Sequence, residues 1–98
     1  MTIVFHEEAL EEMLESAHQY EAKSEGLGLD FLSAVERTMQ RIVTFPEAGP
    51  VEGGDIRKRL VAGFPFKVLY SIEPDQLFVV AVMHQHRRPG YWLKRTGA

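Results

Sequence analysis

The chain has 98 residues, 45% of them hydrophobic and 26% charged, enough for one modest core and too few for two domains. It has no cysteine, which excludes a disulfide framework and a thiolate metal site and fits a reducing, cytoplasmic setting. The formal net charge of −3 hides an asymmetry: residues 1–49 carry ten acids against three bases, residues 50–98 four acids against eight bases.

Thr2-Ile3-Val4-Phe5 is β-branched and aromatic and predicts a short strand. Charged residues follow at once, so it is no secretion signal. From His6 the period changes. Ala9, Leu10, Met13, Leu14, Ala17 and Tyr20 form one helical stripe, with Glu7 and Glu8 at its positive end and His6 placed to cap it. Gly26 and Gly28 are expected to break this helix. A second stripe, Phe31, Leu32, Val35, Met39, Ile42 and Val43, ends at Phe45-Pro46, because the residue before proline avoids helical geometry. The short connection makes the two helices an antiparallel hairpin.

"PEAGPVEGGD" is turn composition. Three strand-like runs follow: residues 56–61, 66–72 and 77–84. The longest apolar run, Leu77 to Met83, is far too short to span a membrane. Short connections make successive strands antiparallel neighbours. The order is β-α-α-β-β-β, an α+β fold in which an antiparallel sheet carries a helical hairpin on one face. No repeat, linker or low-complexity segment interrupts it, so residues 1–98 read as a single domain.

Alternation assigns the faces. Phe66, Val68, Tyr70 and Ile72 should lie beneath the helices, with Lys67, Leu69 and Ser71 on the open face. In the last strand Phe78, Val80, Val82 and His84 share one parity and Leu77, Val79, Ala81 and Met83 the other. Both sets are apolar, so both faces need cover, one from the helices and one from the tail or a partner. His84 and His86 have the i, i+2 spacing of a metal or acid–base pair, but no third ligand is evident and no metal or cofactor is expected. Arg57 and Arg59 share a strand face and suit either an anion or the acids of a neighbouring helix or partner. Arg87 and Arg88 precede a Pro89-Gly90 turn, and Tyr91 and Trp92 either pack the tail onto the sheet or, if exposed, anchor an interface.

The ordered strings "FHEEALEEM", "GLGLDFLSAVERTMQRI", "FPEAGP", "IRKRLVAGFPFKVLYSI" and "VVAVMHQHRRPGYW" resemble the RelE/ParE superfamily of toxins from type II toxin–antitoxin modules across nearly the whole chain. The "FPFKVLY" segment and the "HQHRRPGYW" ending resemble the ParE-like branch, once called plasmid stabilisation proteins. That resemblance implies a cytoplasmic toxin that inhibits DNA gyrase by binding and is neutralised by an antitoxin. The RelE-like alternative cuts messenger RNA on the ribosome. A third class is an inactive member that only binds its antitoxin.

An endoribonuclease needs a proton acceptor, a proton donor and cations on the phosphate. On the RelE-like reading Lys67, Arg87, Tyr91 and His86 would supply them, with Tyr91 and Arg87 at matching tail positions. Lys67 stands where that branch has an arginine, and Gln85 where it has another; a lysine cannot fork onto a phosphate. The acidic net charge also suits a ribosome ligand poorly. The expected surface for target or antitoxin is Arg57, Arg59, Lys67, Leu69, Arg87, Arg88, Tyr91 and Trp92. Its partner would be an antitoxin with an acidic C-terminal segment, disordered alone and folding across the toxin. A homodimer and a toxin–antitoxin hetero-oligomer are both open.

Overall fold

The computed structural model describes residues 1–96. Strand β1 (Thr2–Phe5) leads into helix α1 (Glu7–Lys23), whose first turn is capped by His6: its Nδ1 accepts the Glu8 N–H at 3.0 Å. Helix α2 (Leu27–Thr44) returns antiparallel to it. The break comes at Ser24–Gly26, with Gly26 in the left-handed region at φ 86°. Gly28, expected to be a second breaker, lies inside the first turn of α2. It is there for closeness: a Cβ on Gly28 would stand 2.6 Å from the Ala17 carbonyl oxygen of α1.

No side chain of its own caps α2. Glu21 of α1 accepts the N–H groups of Gly26 and Gly28, both at 2.9 Å. Those two bonds hold its carboxyl below the usual carboxylate range, because a carboxylate among backbone donors resists protonation.

A 3-10 turn at Pro46–Ala48 leads into β2 (Val51–Gly53), β3 (Ile56–Leu60), β4 (Phe66–Ile72) and β5 (Gln76–His84). Strand β2 lies inside the segment read as turn. The sheet order is β1-β5-β4-β3-β2. The meander β2 to β5 is antiparallel as expected, but β1 pairs with β5 in parallel, so the sheet is mixed. Loop length governs only sequential neighbours; β1 reaches its partner through the whole helical hairpin and is free of that rule.

The two faces differ. Phe66, Val68, Tyr70 and Ile72 face the helices, as read from alternation, and pack with Phe31, Val35 and Ile42. Tyr20, Phe31, Phe64 and Phe66 form an aromatic cluster; the Phe31 and Phe66 centroids are 4.9 Å apart. Truncating such a ring costs roughly 3–5 kcal/mol. In β5 the parity fails. Leu69 pairs with Ala81 but Tyr70 with Val79, so Val80 is the extra residue of a β-bulge. Before it Leu77 and Val79 face the helices; after it Val82 does. Phe78, Val80, Ala81 and Met83 join the other face, under Trp92. Among the described residues no helix is long and apolar enough to cross a membrane.

Candidate functional site

Beyond Phe5, which pairs with Val79, β5 has no strand on its β1 side. The open backbone is met by side chains instead. Glu12 of α1 accepts the Val82 N–H at 3.2 Å, and Arg95 donates to the Val80 carbonyl oxygen at 3.1 Å. The two side chains also bond each other, Nη1 to Oε1 and Nη2 to Oε2, both at 2.9 Å. Arg95 reaches Glu8 as well, Nε to Oε2 at 3.0 Å. A bulge and a short β1 thus create a gap in the ladder, and a carboxylate–guanidinium fork fills it.

The same carboxylate holds the tail. Tyr91 donates its hydroxyl to Glu12 Oε2 at 2.5 Å. The Arg87 guanidinium lies 3.9 Å from the Tyr91 ring centroid and that of Arg95 4.9 Å, cation–π distances both. Burial first, and then the bond to Glu12 and its charge, push the Tyr91 phenol far above its ordinary range. Trp92 passes beneath and is 5% exposed, in one cluster with Ile56, Leu69, Val80 and Met83. The tail therefore supplies the cover for the second sheet face, which the two apolar parities of β5 left to the tail or a partner. Leu69 is fully buried and Trp92 nearly so; neither presents itself to a partner.

The cations of β3 and β4 separate by face. Register places Arg57 opposite Tyr70 and Arg59 opposite Val68, both on the helix side. Arg57 donates to the carbonyls of Glu47 (3.0 Å) and Gly49 (2.8 Å), while Tyr70 donates to that of Pro46 (2.6 Å). Arg57 is a brace for the loop before β2. On the opposite face Lys67 meets Glu52 of β2 at 2.6 Å and Lys58 meets it at 3.1 Å. The Lys67 hydrogen bond above all holds the Glu52 carboxyl below the usual range. Arg59 is different: its Nε is buried and has no partner. It lines a recess of about 340 Å³ with Thr38, Arg41, Pro50, Lys58 and Leu60.

Of the residues an RNA-cleaving site would need, Arg87 and Tyr91 meet, but Lys67 and Tyr91 are each engaged by a glutamate. Lys67 is paired with Glu52, and Tyr91 keeps its proton on Glu12. His86 is exposed beyond the end of β5; its N–H bonds His84 Nδ1 at 3.1 Å and the two rings sit 5.4 Å apart. A cleft of about 790 Å³ between α1 and β5 is lined by Glu8, Glu11, Glu12, Glu15, His84 and Arg87 among others, and Lys67, Tyr91 and His86 are absent from its wall. Four glutamates there oppose a phosphate backbone. Among the described residues no three His, Asp or Glu side chains gather to hold a metal.

Of the expected surface, Arg87 and Arg88 stay exposed and Tyr91 and Arg59 half-buried; Arg57 and Lys67 are engaged internally. Glu12, Arg95 and Arg41 were not anticipated. Glu12 sits in an acid-rich helix that reads as solvated, and nothing local marks it; Arg95 lies 83 residues away.

A family model described as the ParE toxin of the type II toxin–antitoxin system parDE matches residues 3–89. Among solved structures, a chain of a chromosomal ParDE toxin–antitoxin system from P. aeruginosa aligns with a TM-score of 0.62 at 12% identity, over 86% of this chain and 95% of that one. At that identity the likeness speaks for the fold. No curated protein matches the chain significantly.

Proposed function

The chain belongs to the ParE toxin family of type II toxin–antitoxin systems, and from that premise we propose that it poisons its target, DNA gyrase, by binding rather than by catalysis, and that a cognate antitoxin neutralises it. Residues 1–98 act as one toxin domain in the cytoplasm. The observation that carries the binding reading is the Tyr91 hydroxyl on Glu12. A phenol buried against a carboxylate that Arg95 already grips is a poor proton acceptor at neutral pH. Lys67 is neutralised by Glu52, and of the two guanidinium groups beside the phenol Arg95 is held by Glu12 and Arg87 is stacked on the Tyr91 ring. What the tail does offer is a fixed surface. Trp92 and the Glu12–Arg95 fork hold it against the sheet, and Arg87 and Arg88 project from it. Rigid presentation reduces the ordering cost of association.

The test is to induce the protein alone and follow plasmid supercoiling beside protein synthesis. Relaxed plasmids, filamentation and a DNA-damage response with translation continuing at first are the expected result. An immediate stop in translation, with messages cut on ribosomes, would replace this reading by the endoribonuclease.

A further inference from the structure

Arg59 Nε is, among the described residues, the single buried side-chain polar atom without a hydrogen-bond partner. A buried charged donor left unpaired is costly, and native structures leave few of them. Its surroundings supply no acceptor of the right kind. The recess that Arg59 lines is shared with Arg41 and Lys58, and no carboxylate lines it. Lys58 has Glu52, but neither Arg41 nor Arg59 forms an ion pair among the described residues. The one hydroxyl in the wall, Thr38, donates to Ala34 O at 2.9 Å, and its oxygen does not accept from Arg59 Nε. In a protein of net charge −3, two arginines without an ion pair among the described residues, Arg41 and Arg59, share a hollow that no acidic side chain lines. The Lys58 ammonium is turned to Glu52 on the other face.

The recess also lies beside an open sheet edge. Strand β2 pairs with β3 only at Ile56 and Arg57, and Lys58 N–H is taken by Pro50 O. Leu60, next along β3, has no strand on its outer side and is 59% exposed, as Val51 is at 56%. Guanidinium donors suit a planar oxyanion, and apolar side chains flanking them suit a chain with alternating acidic and apolar residues.

We infer that the recess between α2 and the outer edge of β3 is a carboxylate-binding site, filled by an Asp or Glu of the antitoxin as its segment runs along β3. Arg59 Nε and the Arg41 guanidinium grip the carboxylate, and an apolar neighbour of that acid settles on Leu60. The identity of the partner rests on the toxin reading; the anion chemistry of the recess does not.

The arginine Nε–H resonance of ¹⁵N-labelled protein reports the site directly. The probes are a synthetic peptide of alternating Glu and Leu, its Lys–Leu counterpart and inorganic phosphate. The Glu–Leu peptide should move the Arg59 Nε–H signal saturably, and the Lys–Leu peptide should leave it in place. Arg41 is exposed, so Arg41→Gln folds; it should weaken the acidic peptide roughly tenfold, the scale of one charge-assisted hydrogen bond. An unmoved Arg59 signal overturns the site. Phosphate moving the signal equally and displacing the peptide overturns the antitoxin as occupant and leaves a general anion hole. Neither result bears on gyrase: a saturable peptide titration in a chain that leaves supercoiling untouched would keep the site and sink the gyrase reading.

Discussion

Glu12 on α1 and Arg95 in the tail form a two-pronged ion pair, 2.9 Å at each prong, and each also bonds one backbone group of β5 that has no strand beside it. The side chains are 13% and 9% exposed, so the pair is largely withdrawn from water. Its value lies in satisfying four polar groups at once, since an isolated buried ion pair is weak evidence of stability. Because Glu12 also accepts from Tyr91, one carboxylate ties α1, the bulged strand and the tail together.

Removing that carboxylate leaves the Val82 N–H and the Tyr91 hydroxyl without their acceptor and Arg95 with only the exposed Glu8 as counter-charge. Glu12→Ala is expected to lower stability by about 2–4 kcal/mol. Trp92 is the one tryptophan of the chain and sits under the tail. Urea unfolding followed by its fluorescence should show a lower midpoint and a red-shifted native baseline. A variant with wild-type midpoint and emission would mean that the fork does not hold the tail.

Val68 is fully buried beneath the helices, opposite Val82 and Arg59. Val68→Asp places an unpaired carboxylate in that layer, and the domain should fail to fold. A cooperative thermal transition by circular dichroism in the soluble variant would contradict the placement of β4.

Gly28 offers a case where propensity and packing disagree. Alanine is the better helix former by up to about 1 kcal/mol. Yet its Cβ would stand 2.6 Å from Ala17 O, a backbone atom that cannot swing aside. Packing should win: Gly28→Ala is expected to destabilise by roughly 1–3 kcal/mol in a denaturant titration. A stabilised variant would show that α1 and α2 separate at no cost.

Acid should reveal two carboxylates. Glu21 is held low by the Gly26 and Gly28 N–H groups, and Glu52 chiefly by Lys67. A depressed folded pKa means that the unfolded chain binds the proton first. The contribution is therefore complete above the ordinary value of 4.5 and is lost as pH falls through the lower folded value. Urea midpoints taken from neutral pH down to about pH 3 should decline on the acid side. Glu21→Gln and Glu52→Gln should each lower the neutral plateau and shrink that decline; variants with an unaltered acid limb would refute the assignment.

Much of the fold is legible in short stretches of sequence. Period 3.6 marks both helices, period 2 puts Phe66, Val68, Tyr70 and Ile72 under them, and His6 stands where a cap belongs. These are local consequences of backbone geometry, and burial on one side writes them into consecutive residues. The two apolar parities of β5 likewise announce that both its faces are covered. Which element covers the second face is not local information, and neither is the bulge at Val80, which shifts half of β5 by one residue without changing its composition. The cations show the limit most clearly. Arg57, Arg59, Lys67 and Arg87 look alike as a basic run, but folding sends Arg57 to loop carbonyls, Lys67 to Glu52 and Arg87 to the Tyr91 ring, and leaves Arg59 unpartnered beside Arg41. The partner of a charge is chosen by what the chain brings near from many residues away. Charge pattern alone therefore says that a basic surface exists, and only the tertiary structure decides which of its members are still free to bind.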